Sequence, residues 1–247
     1  MGAVFSRCEG GIMTKFKRIT MLAIALTTTS MTAGCLRNGV ASVADPAATA
    51  ALVFEARTNS RDLFMETTTM PTTGGATYAG YATGMIKDMA LDSTGGPQQI
   101  GRHFVGDASF DVSFSSNDAS FSGDITNILA KDDVDQRDVY TTYFSGSQQD
   151  IEDMISGFDP TTGSIRIANG ALAPTATSPN AVASDVSGSF THNGDTLEFG
   201  GRGRGFFFGA DGEGLNVNAE TNDGLTITEN GATRVGDFGA TTVDSSM

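Results

Sequence analysis

Residues 104–129 read FVGDASFDVSFSSNDASFSGDITNIL, and this stretch decides the fold. Its first half alternates: Phe110, Val112 and Phe114 fall on one face of an extended chain, Asp111 and Ser113 on the other. Side chains of a strand point to opposite faces with period two, so one face belongs to a core and one to water. Residues 115–118 (SSND) are turn formers, and behind them Phe121, Gly123, Ile125 and Asn127 again share a face. Two alternating runs joined by such a turn predict a β-hairpin.

The pattern extends outward in both directions. Residues 76–86 (ATYAGYATGMI) predict a strand bent by glycine. Residues 182–190 (VASDVSGSF) and 196–208 (TLEFGGRGRGFFF) face each other across HNGD at 192–195, whose Asn-Gly is the strongest short hairpin signal. Residues 151–158 and 164–172 predict strands on either side of the turn DPTTG, and 215–220 and 225–229 predict two more, with Asn222-Asp223-Gly224 turning between them. Segments 130–150 and 174–180 predict long exposed loops, and 230–247 a loose tail. Glycines inside strands favour tight coiling, hence a barrel over a sandwich. The expected fold is all-β: an eight-stranded antiparallel β-barrel over 75–229, its interior packed with side chains, behind a small N-terminal extension at 52–74. With 31 Gly, 16 Phe and no Trp, the composition fits many short strands joined by turns.

Residues 13–35 (MTKFKRITMLAIALTTTSMTAGC) place three cations, Lys15, Lys17 and Arg18, before an apolar run and end in small residues ahead of Cys35. This order predicts a secretory signal over 1–34, with translation starting at Met13, and Thr32-Ala33-Gly34-Cys35 resembles a lipobox whose thiol takes a diacylglycerol. The competing reading is an ordinary cleaved signal with an incidental cysteine. The apolar run is too short for a spanning helix, which needs ~20 residues. Residues 35–51 then form a small-residue tether. Leu36 after the cysteine, by analogy with sorting signals, directs the protein to the outer membrane, lipid-anchored and surface-exposed.

The chain carries 15 Lys and Arg against 29 Asp and Glu, a net charge of −14. Losing Arg7, Lys15, Lys17, Arg18 and Glu9 with the leader leaves 11 against 28, or −17. Such a surface excludes nucleic acid, whose affinity comes from neutralising phosphates. It suits basic partners or cations, or serves solubility alone. After Cys35 no cysteine remains, so disulfides are excluded.

The ordered set Ala76-Thr77-Tyr78-Ala79-Gly80 to Gly84, Phe110-Asp111-Val112-Ser113-Phe114, Ala119 to Ile125, Gly188-Ser189-Phe190 and Gly205 to Gly214 resembles the barrel strands of transferrin-binding protein B-type surface lipoproteins. It spans residues 75 to about 220, at the scale of the single-barrel factor H-binding and haemophore-like members. The chain departs at Leu215-Asn216-Val217-Asn218, where the family commonly runs into Val-Gly-Gly. The resemblance implies a scaffold that binds an extracellular macromolecule or an iron carrier through loops, without chemistry; the chain is expected to be a monomer without a cofactor.

The residues themselves offer no catalytic set. His103 and His192 are read as solvated or strand-edge residues without a spaced partner. The acidic runs at 131–135 and 211–214 miss the calcium-loop spacing, so no metal is expected. Tyr140, Tyr143 and Phe144 are candidate recognition anchors in the long acidic loop, or an unrecognised strand. Arg202 and Arg204 fall on one side of a glycine-bent strand, either pairing with the barrel's own carboxylates or gripping an anionic ligand. The expected function is a binding module anchored at Cys35; the alternatives are a lipocalin-like small-ligand carrier in the periplasm and a structural envelope protein.

Overall fold

The structure is a computed structural model and describes residues 44–63, 69–88, 99–116 and 118–245. The described residues all belong to one compact unit. The expected leader, Cys35 and the tether as far as residue 43 lie outside the described residues.

Helix α1 (Pro46–Leu63) precedes strands β1 (Gly74–Asp88), β2 (Ile100–Ser115) and β3 (Asp118–Asp135). Helices α2 (Gln136–Ser145) and α3 (Gln148–Ile155) follow, then the two-residue β4 (Asp159–Pro160) and strands β5 (Thr162–Leu172), β6 (Ala181–His192) and β7 (Asp195–Phe208). Strands β8 (Gly214–Glu220), β9 (Leu225–Glu229) and β10 (Ala232–Asp244) complete the chain. Pairing is antiparallel throughout, and β10 returns to β1, with Ala82 opposite Ala240. The result is a closed barrel of eight staves, because β8 and β9 share one: β8 lies opposite residues 204–208 of β7 and β9 opposite 197–201. Pairing β1 with β10 removes the two edges that an open sheet would leave to invite aggregation.

On β2 the alternation holds as read: Ala108, Phe110, Val112 and Phe114 are buried in the lumen and Asp111 and Ser113 are exposed. Phe104 meets Phe190, Phe199 and Phe238 at ring separations of 5.3, 5.9 and 6.4 Å. Further along the lumen Phe207 meets Tyr78, Phe114 and Phe121. Side chains thus fill the barrel, as eight staves require. At one mouth the Tyr78 hydroxyl donates to the Gly212 carbonyl. At the other, Arg102 donates to Asp132, Asp195 and Glu229, which stand on β3, β7 and β9. Since β2 pairs with β1 and β3, reaching β7 and β9 takes the Arg102 side chain across the lumen.

Around residues 101–106 β2 is buried on both faces, because the helices cover the outer wall there. Val53 of α1, Val139 and Tyr143 of α2, and Ile151 and Ile155 of α3 pack with Phe158 on Val105 of β2 and Leu129 of β3.

Several expectations are corrected. Residues 130–150 are not a loop but the end of β3 and two helices. Their polar residues cap: Asp135 accepts from the Arg137 amide, and Ser147 with Asp150 forms a capping box. Residues 151–158 are not a strand; Ile151 and Ile155, four apart, are one buried helix face. The segments 215–220 and 225–229 do not form a hairpin but one stave interrupted by the 3₁₀ turn Thr221–Asp223. The tail over 230–247 is largely β10, closing the barrel with Phe238, Ala240 and Thr242 buried. Residues 46–51, expected in the tether, begin α1, with Thr49 and Ala50 buried. Asn127 takes φ 50° in an irregular stretch, and Ile128 fills the lumen instead.

Candidate binding groove

The outer face of the barrel between the helices and β8 is hollow. Outward residues Tyr81, Thr83 and Met85 on β1, Asp237 and Thr241 on β10, and Asn216, Asn218 and Glu220 on β8 form one side. They are brought together because β10 lies between β1 and β8. The other side comes from α1 (Arg57, Ser60, Arg61) and α2 (Gln136, Val139, Tyr140, Tyr143, Phe144), with His103 of β2 deep between them. The groove holds about 620 Å³, inside the ~300–1,000 Å³ range of small-molecule sites.

Arg57 ties the two helices. Its Nη1 donates to the carbonyls of Tyr143 and Gly146, both at 2.9 Å, satisfying acceptors at the end of α2 that lack helical partners. The guanidinium also lies 5.0 Å from the Phe54 ring centroid.

His103 is the opposite of a solvated edge residue: it is 2 % exposed. Its Nε2 lies 2.7 Å from Thr83 Oγ1, and its ring meets Tyr143 at 5.5 Å and Phe158 edge-on at 5.3 Å. Burial pushes the imidazole down to about 3, so the ring is neutral at physiological pH. Burial likewise pushes the Tyr143 phenol up, and that of Tyr81 up despite the nearby Arg57 charge. Two polar atoms here have no protein hydrogen-bond partner among the described residues, His103 Nδ1 and Gln136 Oε1, while the Tyr143 hydroxyl faces the Thr83 side chain. A buried polar atom left unmatched costs roughly 1–3 kcal/mol, which marks the place where a ligand's polar group gains most.

The three candidate aromatics separate. Tyr143 is buried, while Tyr140 and Phe144 are 60 % and 67 % exposed and stack on each other at the rim, ring centroids 4.5 Å apart. Arg202 and Arg204 stand exposed on the outer face of β7, where Arg204 Nη1 lies 3.4 Å from Asp223 Oδ1. They line a second hollow of about 260 Å³ on the far side of β8, which shares Asn218 and Glu220 with the groove. His192 is also buried rather than solvated, its ring nitrogens 3.5 Å from Asp132 and 3.9 Å from Asp159.

Sequence reasoning missed Arg57, Thr83, Asn216 and Asn218. The two asparagines carried a signal, since alternate Asn in a strand is depleted unless its side chain has a use. Asn218 donates to Asn216 Oδ1, and Asn216 Nδ2 donates to Thr241 Oγ1 at 3.2 Å, forming a relay along the wall.

Among the described residues no group of three or more His, Cys, Asp or Glu is placed to hold a metal ion, and no helix is long and apolar enough to cross a membrane. No family model matches the chain, nor does any curated protein or solved structure.

Proposed function

We propose that this chain is a non-catalytic binding protein, lipid-anchored through Cys35 to the outer membrane, that recognises an extracellular partner through the helix-flanked groove. The observation that carries the reading is the pairing of a filled lumen with an outer groove whose floor holds unmatched polar atoms. A lipocalin-like carrier needs an open lumen, and here Phe104, Phe190, Phe199 and Phe238 occupy it. The stacked pair Tyr140 and Phe144 adds exposed aromatic area of the kind that anchors interfaces. The anchor rests on the leader at residues 13–35 and the Thr32-Ala33-Gly34-Cys35 sequence. The resemblance to transferrin-binding protein B-type lipoproteins favours recognition over chemistry, with the helical face replacing the loops as the binding surface.

Protease shaving of intact cells, with mass spectrometry of the N-terminal peptide, tests the anchor. Lipid-modified Cys35 on accessible protein is the expected result. Unmodified Cys35, or protein shielded from protease, overturns the surface reading in favour of a periplasmic protein.

A further inference from the structure

The groove's lining narrows the chemistry of what it binds, given the reading above that the groove is the recognition site. Its ionic groups are few and of both signs: Arg57 and Arg61, with Glu220 and Asp237. Arg57 is already engaged by two helix carbonyls, and Asp237 is paired with Lys87 at 2.9 Å. In a chain with a net charge of −14, this balanced lining is a local exception. Arg61 and Glu220 leave one cation against one carboxylate, a balance that favours neither a strongly anionic nor a strongly cationic ligand.

The polar groups are mixed donors and acceptors. The relay from Asn218 through Asn216 to Thr241 presents amides and a hydroxyl, and Thr83, His103 and the Tyr143 hydroxyl continue this supply across the floor. A phosphate or carboxylate asks for donors only, and an ammonium for acceptors only. Groups that both give and take suit a ligand rich in hydroxyls.

The aromatic surfaces supply the remaining feature. Tyr81 and Tyr143 stack on each other with their planes 24° apart at 6.3 Å and Tyr143 buried, so the ring faces open to a ligand are those of Tyr140 and Phe144 at the rim. Flat, apolar ring faces beside amides and hydroxyls match a molecule with hydroxyls at its edge and a C–H face.

We infer that the groove binds a neutral saccharide, its ring lying against the aromatic face of α2 and its hydroxyls meeting the Asn216–Asn218–Thr241 wall. The extracellular partner is then recognised through its glycan.

The test applies full-length protein to a printed array of neutral and sialylated oligosaccharides. Affinity for the best-bound glycan is then measured by calorimetry for wild type, Asn218→Ala, Tyr140→Ala and the control Arg166→Gln on the β5 wall. Binding of a neutral glycan, weakened about tenfold or more by Asn218→Ala and by Tyr140→Ala and unchanged by Arg166→Gln, is the expected result. Both groove positions are exposed, so the variants keep the fold, which circular dichroism checks. Binding only of sialylated glycans overturns the neutral assignment. Glycan binding indifferent to both groove variants overturns the groove as the site. If no glycan binds, the saccharide assignment fails, and amide NMR with neutral, cationic and anionic small aromatics separates the two readings. Shifts confined to residues around Tyr143 and His103 would leave the groove as a site for another chemistry; no shifts there would remove both.

Discussion

Arg102 Nη1 lies 2.6 Å from Glu229 Oε1, joining β2 to β9 through the barrel mouth although these staves are not neighbours in the sheet. The same guanidinium reaches Asp132 at 2.5 Å and Asp195 at 3.1 Å, so one side chain laces β3, β7 and β9 to β2. Its planar fork spreads five N–H donors over three separated nitrogens, a reach that the compact ammonium of a lysine lacks.

Arg102→Met is therefore expected to destabilise the barrel by about 2–3 kcal/mol in urea unfolding. That is below the ~3–5 kcal/mol of a fully buried broken pair, because Asp132 and Asp195 keep contact with water. Glu229 keeps a second pair, with Arg234, in this variant, so adding Arg234→Met should deepen the loss. A double variant no less stable than the single one would contradict the account.

The same cluster sets an acid limit. Hydrogen bonds from Arg102 and Asn193 hold the Asp132 carboxyl below its ordinary 3.8, outweighing the burial that pushes it up. A bond from Asn230, then one from Arg102, lowers Asp195. Lowered carboxyls contribute stability that is present above the unfolded value and lost as pH falls through the folded one. The stability difference between wild type and Arg102→Met should thus shrink below about pH 4. A difference independent of pH down to 2 would sink this prediction.

His103 acts in a higher window. The unfolded chain protonates it near 6.5, whereas burial holds it neutral down to about 3. Its contribution is fully present above pH 6.5 and lost as pH falls toward 3, at up to roughly 1.4 kcal/mol per unit. Asp107, pushed up by burial, acts in the opposite sense at acid pH. Comparing His103→Phe with wild type cancels that shared term. The variant should show the shallower loss of stability between pH 6.5 and 5, and parallel curves would refute the assignment.

Gly80 marks a close approach of β1 to the closing strand: a Cβ there would lie 2.1 Å from the Thr241 carbonyl oxygen. Backbone does not yield as a side-chain tip does, so Gly80→Ala should cost at least ~1–3 kcal/mol. At Gly200 a Cβ meets nothing within 4 Å, and Gly200→Ala should leave the midpoint of thermal unfolding nearly unchanged. Equal effects at the two positions would contradict the stave geometry.

Ending the chain at Asn230 removes β10, and with it the pairing that closes β1 onto β8. The truncated protein should lose dispersed amide NMR signals and cooperative unfolding. A well-dispersed spectrum would show that closure by β10 is dispensable.

Much of this was legible before folding. Residues 104–129 announced their hairpin because the lumen imposes strict alternation, and Asn193-Gly194 marked a turn where both residues take positive φ, 52° and 88°. Asn230-Gly231 carries the same signal, with φ 49° and 82°, and joins β9 to β10. The residues behind it, ATRVGDFGATTVD, are small and weakly apolar, so the strand they form carries little signal of its own. Ile151 and Ile155 fit both a short strand and a helix face, and a run of eight residues holds too few periods to separate them.

The sequence by itself determined the all-β class, the inward and outward sides of most strands, and the turn at Asn193-Gly194, because these depend on neighbours one or two residues apart. Only the tertiary structure decided that Thr83, His103, Tyr143 and Asn218 share a groove, and that Arg102 spans the mouth. The physical reason is one of distance along the chain. Period-two patterning specifies a core face locally, but an outward face acquires meaning only when a remote segment packs on it. Here that packing follows from closure of β10 onto β1 and from the docking of α1 and α2 on the outer wall.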